Sequence, residues 1–296
     1  MTARDFFYRS DGALRAPWRL VGFVALLAVL LYAFSHLAAL FARGMSLLAR
    51  QALGFWVLLA ALVVAHGVML RWIDRKPWSS VGLSLAQASP GRLAAGLALG
   101  ALGILVPSAG LLSVHWLQSV PAAGGAAGWW SYAAIMLGFF LPQALAEEML
   151  VRGYVFAVFR DGMGWVAALL LTSAVFAALH LNNPGVDAQA VLLVALAGLF
   201  LGGILVATDS LWAAWMAHFA WNWAMAAVLH TAVSGIVVAA PAYRVVDAGP
   251  DWATGGTWGP EGGAGAALGM LAGLLILVAW RRRHARFTNQ MIETDD

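Results

Sequence analysis

Runs of about twenty apolar residues, long enough to carry a helix across the hydrocarbon of a bilayer, recur along nearly the whole chain. Backbone placed in lipid must satisfy its polar groups internally, and at this run length the helix is the structure that does so. Eight such runs are read, at roughly 18–41, 52–73, 92–117, 130–158, 164–180, 189–207, 211–232 and 264–281. A length of 296 residues would allow one or two soluble domains, but 62% hydrophobic and only 10% charged residues, with fifteen tryptophans, exclude that class. The expected fold is all-α, a polytopic membrane helix bundle of about eight transmembrane helices. The first run is too long for a cleavable signal and lacks a small-residue cleavage site, so it is expected to be retained.

The formal charge of +3 does not point to nucleic acid, because the basic residues flank apolar runs, as membrane-orientation signals do. With eight spans and the N-terminus inside, fourteen of the seventeen Lys and Arg fall on the cytoplasmic side, and only Arg43, Arg50 and Arg244 fall outside. Both termini are therefore expected in the cytoplasm, in a multi-pass protein of the cell's inner or plasma membrane. No internal repeat is evident, and the absence of cysteine excludes disulfides and thiolate metal sites. The chain divides into an N-terminal three-helix region (1–129), a helical core (130–232), and a Gly- and Trp-rich loop with the last span and a basic tail (233–296). The loop 233–263 reads as an ordinary interfacial turn with an aromatic belt. Glu261, within Gly259-Pro260-Glu261-Gly262-Gly263, is the residue that would make it a plug or a substrate contact.

No charged residue occurs from Trp129 to Ala146, and then Glu147 and Glu148 arrive together, with Arg152 four residues after the second. Of fourteen acidic residues, these two alone are embedded in membrane-grade sequence. Ionised groups at that depth are costly and by default mark a functional site. On a helix their side chains diverge by about 100°. Glu148 and Arg152 are spaced for an intrahelical ion pair, whereas Glu147 has no such partner. An ion pair that merely fixes helix position would leave Glu147 unexplained.

Seven histidines occur. His115 and His284 read as solvated, and His36, His66 and His230 as hydrogen-bonded packing residues. His180 closes Phe176-Ala177-Ala178-Leu179-His180 and leads into Asn182-Asn183-Pro184-Gly185, an abrupt helix end. His218 and Asn222, at i and i+4, share one helix face. If the fourth and fifth runs form a hairpin turning near Asp161-Gly162, Glu147 and His180 differ in height by only about 5 Å. His218 reaches the same level if the hairpin projects beyond the membrane. One carboxylate, two imidazoles and an amide then converge in a cavity expected to open inward.

Glu-Glu-x-x-x-Arg (Glu147, Glu148, Arg152), Phe-x-x-x-His (Phe176, His180) and His-x-x-x-Asn (His218, Asn222), in that order on successive membrane helices, resemble the CPBP family. That family includes the type II CAAX prenyl endopeptidases and the bacteriocin-processing or Abi proteins. The resemblance covers about residues 130–230 and implies an intramembrane endopeptidase acting on a membrane-associated protein or peptide.

Peptide hydrolysis needs an activated water, a proton acceptor and a stabiliser of the oxyanion. The expectation is that Glu147 with His180 activates the water, that His218 and Asn222 face the oxyanion, and that Glu148 with Arg152 orients Glu147. The resemblance leaves metal open. Zinc held by Glu147, Glu148, His180 and His218 and a metal-free glutamate mechanism are both compatible with it, and no His-Glu-x-x-His occurs. Two other classes remain. A proton-coupled transporter would use membrane Glu and His as a relay, although the paired repeats of such folds are not seen. A catalytically silent immunity or scaffolding protein would not need the catalytic residues.

Overall fold

The computed structural model describes the backbone of residues 3–121, 128–237 and 243–293, with side chains from residue 4 to residue 282 within those stretches. Helices dominate. They are α1 (Ala16–Ala39), α2 (Leu47–Val68, continued by a π turn over Met69–Asp74) and α3 (Pro90–Ser113). Then come α4 (Trp129–Glu148, continued by a π turn over Met149–Gly153), α5 (Tyr154–Leu179) and α6 (Ala188–Thr208). The last are α7 (Leu211–Trp223, continued by a π turn over Ala224–Leu229) and α8 (Ala264–Glu293). Among the described residues the one sheet is an antiparallel pair, β1 (Leu117–Pro121) with β2 (Tyr243–Asp247).

Among the described residues, six helical segments are long and apolar enough to cross a membrane. One of them, Trp129–Leu179, runs 51 residues and covers two of the expected spans. A straight helix of that length would reach about 77 Å, more than twice the hydrocarbon thickness. It breaks at Gly164, whose φ of 83° and ψ of 166° lie outside helix space and favour glycine. The turn thus falls three residues beyond Asp161. The expected span at 211–232 is instead a thirteen-residue α-helix extended by its π turn.

Burial ranks the helices. Half of the α6 span is enclosed, against 11% for α1, so α6 is central, and α1 presents Val21, Val24, Val29 and Tyr32 outward, as a lipid-facing helix does. Helix α3 lies against α7 through Gly96 and Gly100. A Cβ at Gly100 would stand 2.0 Å from the Ala217 carbonyl oxygen, and one at Gly96 would stand 2.1 Å from that of Ala213. This is the small-xxx-small contact of membrane bundles, in which close packing rather than water expulsion drives association. Gly100→Ala is expected to part the two helices and lower the unfolding temperature markedly, with a loss of activity because Ala217 precedes His218. An unchanged melting curve would contradict this close contact.

Three tryptophans set the antiparallel register of α4 against α7. Trp129 Nε1 donates to Ala227 O (2.8 Å), Trp223 Nε1 to Ala133 O (3.1 Å) and Trp215 Nε1 to Leu141 O (2.9 Å). That register brings the Glu147 turn beside His218. The bundle has two distinct ends. At the Gly164 end, Arg19 pairs with Asp74 at 2.5 Å, and Asp161 accepts from Lys76 (2.7 Å) and Arg160 (3.2 Å). At the other end lie the β1–β2 pair, the turn after His180 and the start of α8.

Candidate active site

The two glutamates part as expected, and to different environments. Glu148 is fully enclosed. Its Oε1 accepts from Arg152 Nη1 at 2.7 Å and from His218 Nδ1 at 2.9 Å. Arg152 also gives Nη2 to Gly198 O at 3.3 Å and lies with Cζ 4.4 Å above the Phe176 ring, a geometry that desolvated cations favour. Glu147 faces a cavity of about 360 Å³ with 22% of its side chain exposed. Its Oε1 accepts from Gln143 Nε2, and Gln143 Oε1 in turn accepts from Asn222 Nδ2 at 3.1 Å. Glu147 Oε2 has no hydrogen-bond partner among the described residues and stands 3.8 Å from His218 Nε2.

The cavity is lined by Glu147, His180, His218 and Asn222 together with Gln143 and Phe176. Helix α5 contributes His180 at its last turn, where Nδ1 donates to Phe176 O at 2.8 Å and leaves Nε2 as the ring's acceptor. Glu147 and His180 share this cavity although 33 residues separate them, so the chain does reverse at Gly164, and the predicted convergence occurs.

Three expectations need correction. The cavity does not lead toward the Gly164 turn. Its remaining walls include Gln51, Asn183, Val233 and Ile236, which belong to the opposite end of the bundle, while the enclosed Glu148–Arg152 pair lies between this cavity and a second one at the Gly164 end. The loop 233–263 is more than an interfacial turn. Glu261 Oε1 accepts from the Ser234 hydroxyl at 2.7 Å and Oε2 from Trp221 Nε1 at 3.0 Å, and Ser234 and Glu261 line a recess with His180, His218 and Asn222. A carboxylate with these donors anchors the loop beside the site; residues 238–242 of the loop lie outside the described residues. Finally, Glu148 grips His218, and Gln143 is the residue that positions Glu147.

Gln143 carried a signal that the sequence reading passed over, since it is an amide at i−4 to Glu147 in an otherwise apolar stretch. His66 is hydrogen-bonded, as anticipated, but its place is informative. Its Nδ1 donates to Leu62 O, and its Nε2 accepts the Tyr154 N–H at 3.0 Å. The π turn over Met149–Gly153 sits immediately after the two glutamates, a common setting for such turns, and His66 caps its exit. A Cβ on Gly153 would come within 2.3 Å of His66 Nε2, so this position admits only glycine. His36 and His230 also donate Nδ1 to carbonyl oxygens, of Tyr32 and Tyr243, as packing histidines do.

Among the described residues, no group of three or more His, Cys, Asp or Glu side chains is disposed to hold a metal ion. Glu148 Oε1 already carries two donors, while both histidines commit Nδ1 to an oxygen acceptor and leave Nε2 uncommitted.

The chain matches none of the curated proteins and none of the solved structures it was compared with. Residues 128–224 match the family model described as Type II CAAX prenyl endopeptidase Rce1-like. That stretch, about a third of the chain, begins at the N-terminal boundary of α4 and ends just past α7, and it contains the ion pair, both cavity histidines and Asn222. Over that stretch, this integral multi-pass membrane protein is similar to the Rce1-like type II CAAX prenyl endopeptidases.

Proposed function

We propose that the protein is an endopeptidase that cleaves a membrane-associated peptide or protein by water attack, with Glu147 as general base. The observation that carries this reading is Glu147, which lines the cavity and whose buried Oε2 has no hydrogen-bond partner among the described residues, 3.8 Å from His218 Nε2. That gap is too long for a direct hydrogen bond, so this carboxylate oxygen keeps its capacity to accept a proton.

Glu147 takes the water proton as the hydroxyl oxygen attacks the scissile carbonyl carbon. The carbonyl oxygen becomes an oxyanion, and the proton then passes to the leaving amine as the C–N bond breaks. His180, with Nε2 as acceptor, orients the water. His218, flanked by Glu148 and Glu147, has carboxylate counter-charge for an imidazolium that donates from Nε2 toward the oxyanion. Asn222 has a second N–H beyond the one given to Gln143. These donors are preorganised by bonds to Glu148 and Gln143, which is what makes such groups effective.

Asn222→Ala is expected to lower kcat by about 10²–10³-fold, the usual effect of losing one oxyanion donor, with little change in KM. A loss confined to KM would place Asn222 in substrate binding instead. The mechanism as written routes no step through a metal. Purified wild-type protein should retain activity after chelator treatment and contain metal well below one equivalent. Stoichiometric zinc that disappears in His218→Ala, with chelation reproducing the loss, would overturn the metal-free scheme.

A further inference from the structure

A second cavity, of about 200 Å³, lies at the Gly164 end of the bundle, outside the machinery just described. Arg152, Arg160 and Arg281 line it, with Trp165 at its rim and Asp209 as its carboxylate. Arg152 is 1% exposed, and its Nε has no hydrogen-bond partner among the described residues. A buried guanidinium N–H without an acceptor is costly unless something else supplies one. Arg160 commits Nη2 to Ser80 O and to Asp161, while Arg281 lies with Cζ 5.9 Å over the Trp165 ring. Asp209 Oδ2 accepts from Gln87 Nε2. Arg152 and Arg160 also pair with Glu148 and Asp161, which stand outside the lining, so what the cavity itself presents in excess is guanidinium donors.

We propose that this cavity binds a phosphate group, brought by the headgroup of an anionic phospholipid. Guanidinium forks match phosphate oxygens in charge and geometry. The cavity opens at the end of the bundle that also carries Arg19 and Lys76. The distribution of basic residues along the sequence puts that end at the cytoplasmic leaflet, where anionic lipids attract such clusters. Trp165, half-exposed beside Arg281, suits the headgroup boundary. Bound phosphate would lie beside the enclosed guanidinium that holds Glu148, so the occupant of this cavity would neighbour a group that positions the candidate site without entering it.

The test uses the full chain in nanodiscs of phosphatidylcholine, with or without phosphatidylglycerol, and inorganic phosphate added to the phosphatidylcholine discs as a separate arm. Phosphatidylglycerol should raise the wild-type unfolding temperature by several degrees through binding to the folded state. Arg281→Gln and Arg160→Gln should each weaken the apparent affinity about tenfold, the worth of one charge-assisted contact, and Arg281→Gln should do so without shifting the phosphatidylcholine baseline. Asp209→Asn, which keeps an acceptor for Gln87 and suits the left-handed φ of 50° at this position, should strengthen binding. A shift produced by inorganic phosphate alone, through the same arginines, would keep the phosphate site and assign it a soluble ligand. If Arg160→Gln does not fold, Arg281→Gln on the outer helix carries the test. A lipid response that Arg281→Gln retains in full, or no response to either phosphate source, would overturn the proposal.

Discussion

Glu147→Gln should abolish proteolysis, with turnover falling by about three orders of magnitude or more, while the protein remains inserted, monodisperse and close to wild type in unfolding temperature. The size of the loss follows from removing the carboxylate assigned to take the water proton, a contribution of about 10²–10⁴-fold, together with the counter-charge near His218 Nε2. The preserved fold follows from the geometry. Glu147 Oε1 accepts from Gln143, and a glutamine oxygen can accept the same bond. Oε2 makes no hydrogen bond that the structure needs. Turnover assays and a melting curve on the same preparation test both halves, and near-normal hydrolysis by this variant would remove Glu147 from the mechanism.

Glu148→Gln should behave differently, losing both activity and stability. Glu148 and Arg152 are enclosed with no exposed side-chain area. Breaking a buried pair by neutralising one partner typically costs about 3–5 kcal/mol, because the remaining charge is stranded. The fall in unfolding temperature should therefore be large, in contrast to Glu147→Gln. Adding Arg152→Met to Glu148→Gln removes the stranded charge and should recover much of the stability. It should not recover activity, because His218 Nδ1 would still lack its carboxylate. Recovery of turnover in the double variant would show that Glu148 acts only as a structural partner of Arg152.

Much of this arrangement could be read from the residues because bilayer physics narrows the alternatives. Apolar run lengths located the helices, and the cost of charge at depth singled out Glu147 and Glu148. The i,i+4 spacing identified the Glu148–Arg152 pair, and helical rise alone placed Glu147 and His180 at one height. What stayed hidden depends on contacts between segments distant in sequence. The bond from His218 to Glu148 spans 70 residues, and that from Asn222 to Gln143 spans 79. Neither has a local spacing signature. The docking of Glu261 on Trp221 and Ser234 was equally invisible, since a Gly-rich loop shows no periodicity that reveals where it folds back. The direction of the cavity was misjudged for a related reason. Rise per residue gives the depth of a side chain but not which neighbours close over it, and here the buried Glu148–Arg152 pair stands on the side toward Gly164.

The central claim, that water activated at Glu147 cleaves peptide bonds in a membrane substrate, is tested most directly by reconstitution. Wild-type and Glu147→Gln proteins would be placed in pH-gradient vesicles containing membrane-anchored peptides of varied sequence. Mass spectrometry of the peptides and a lumenal pH dye would be read on the same sample. The account predicts new peptide termini with the wild type, none with Glu147→Gln, and no Glu147-dependent proton flux. Intact peptides alongside a proton flux that Glu147→Gln abolishes would contradict it and place the same residues in a transporter.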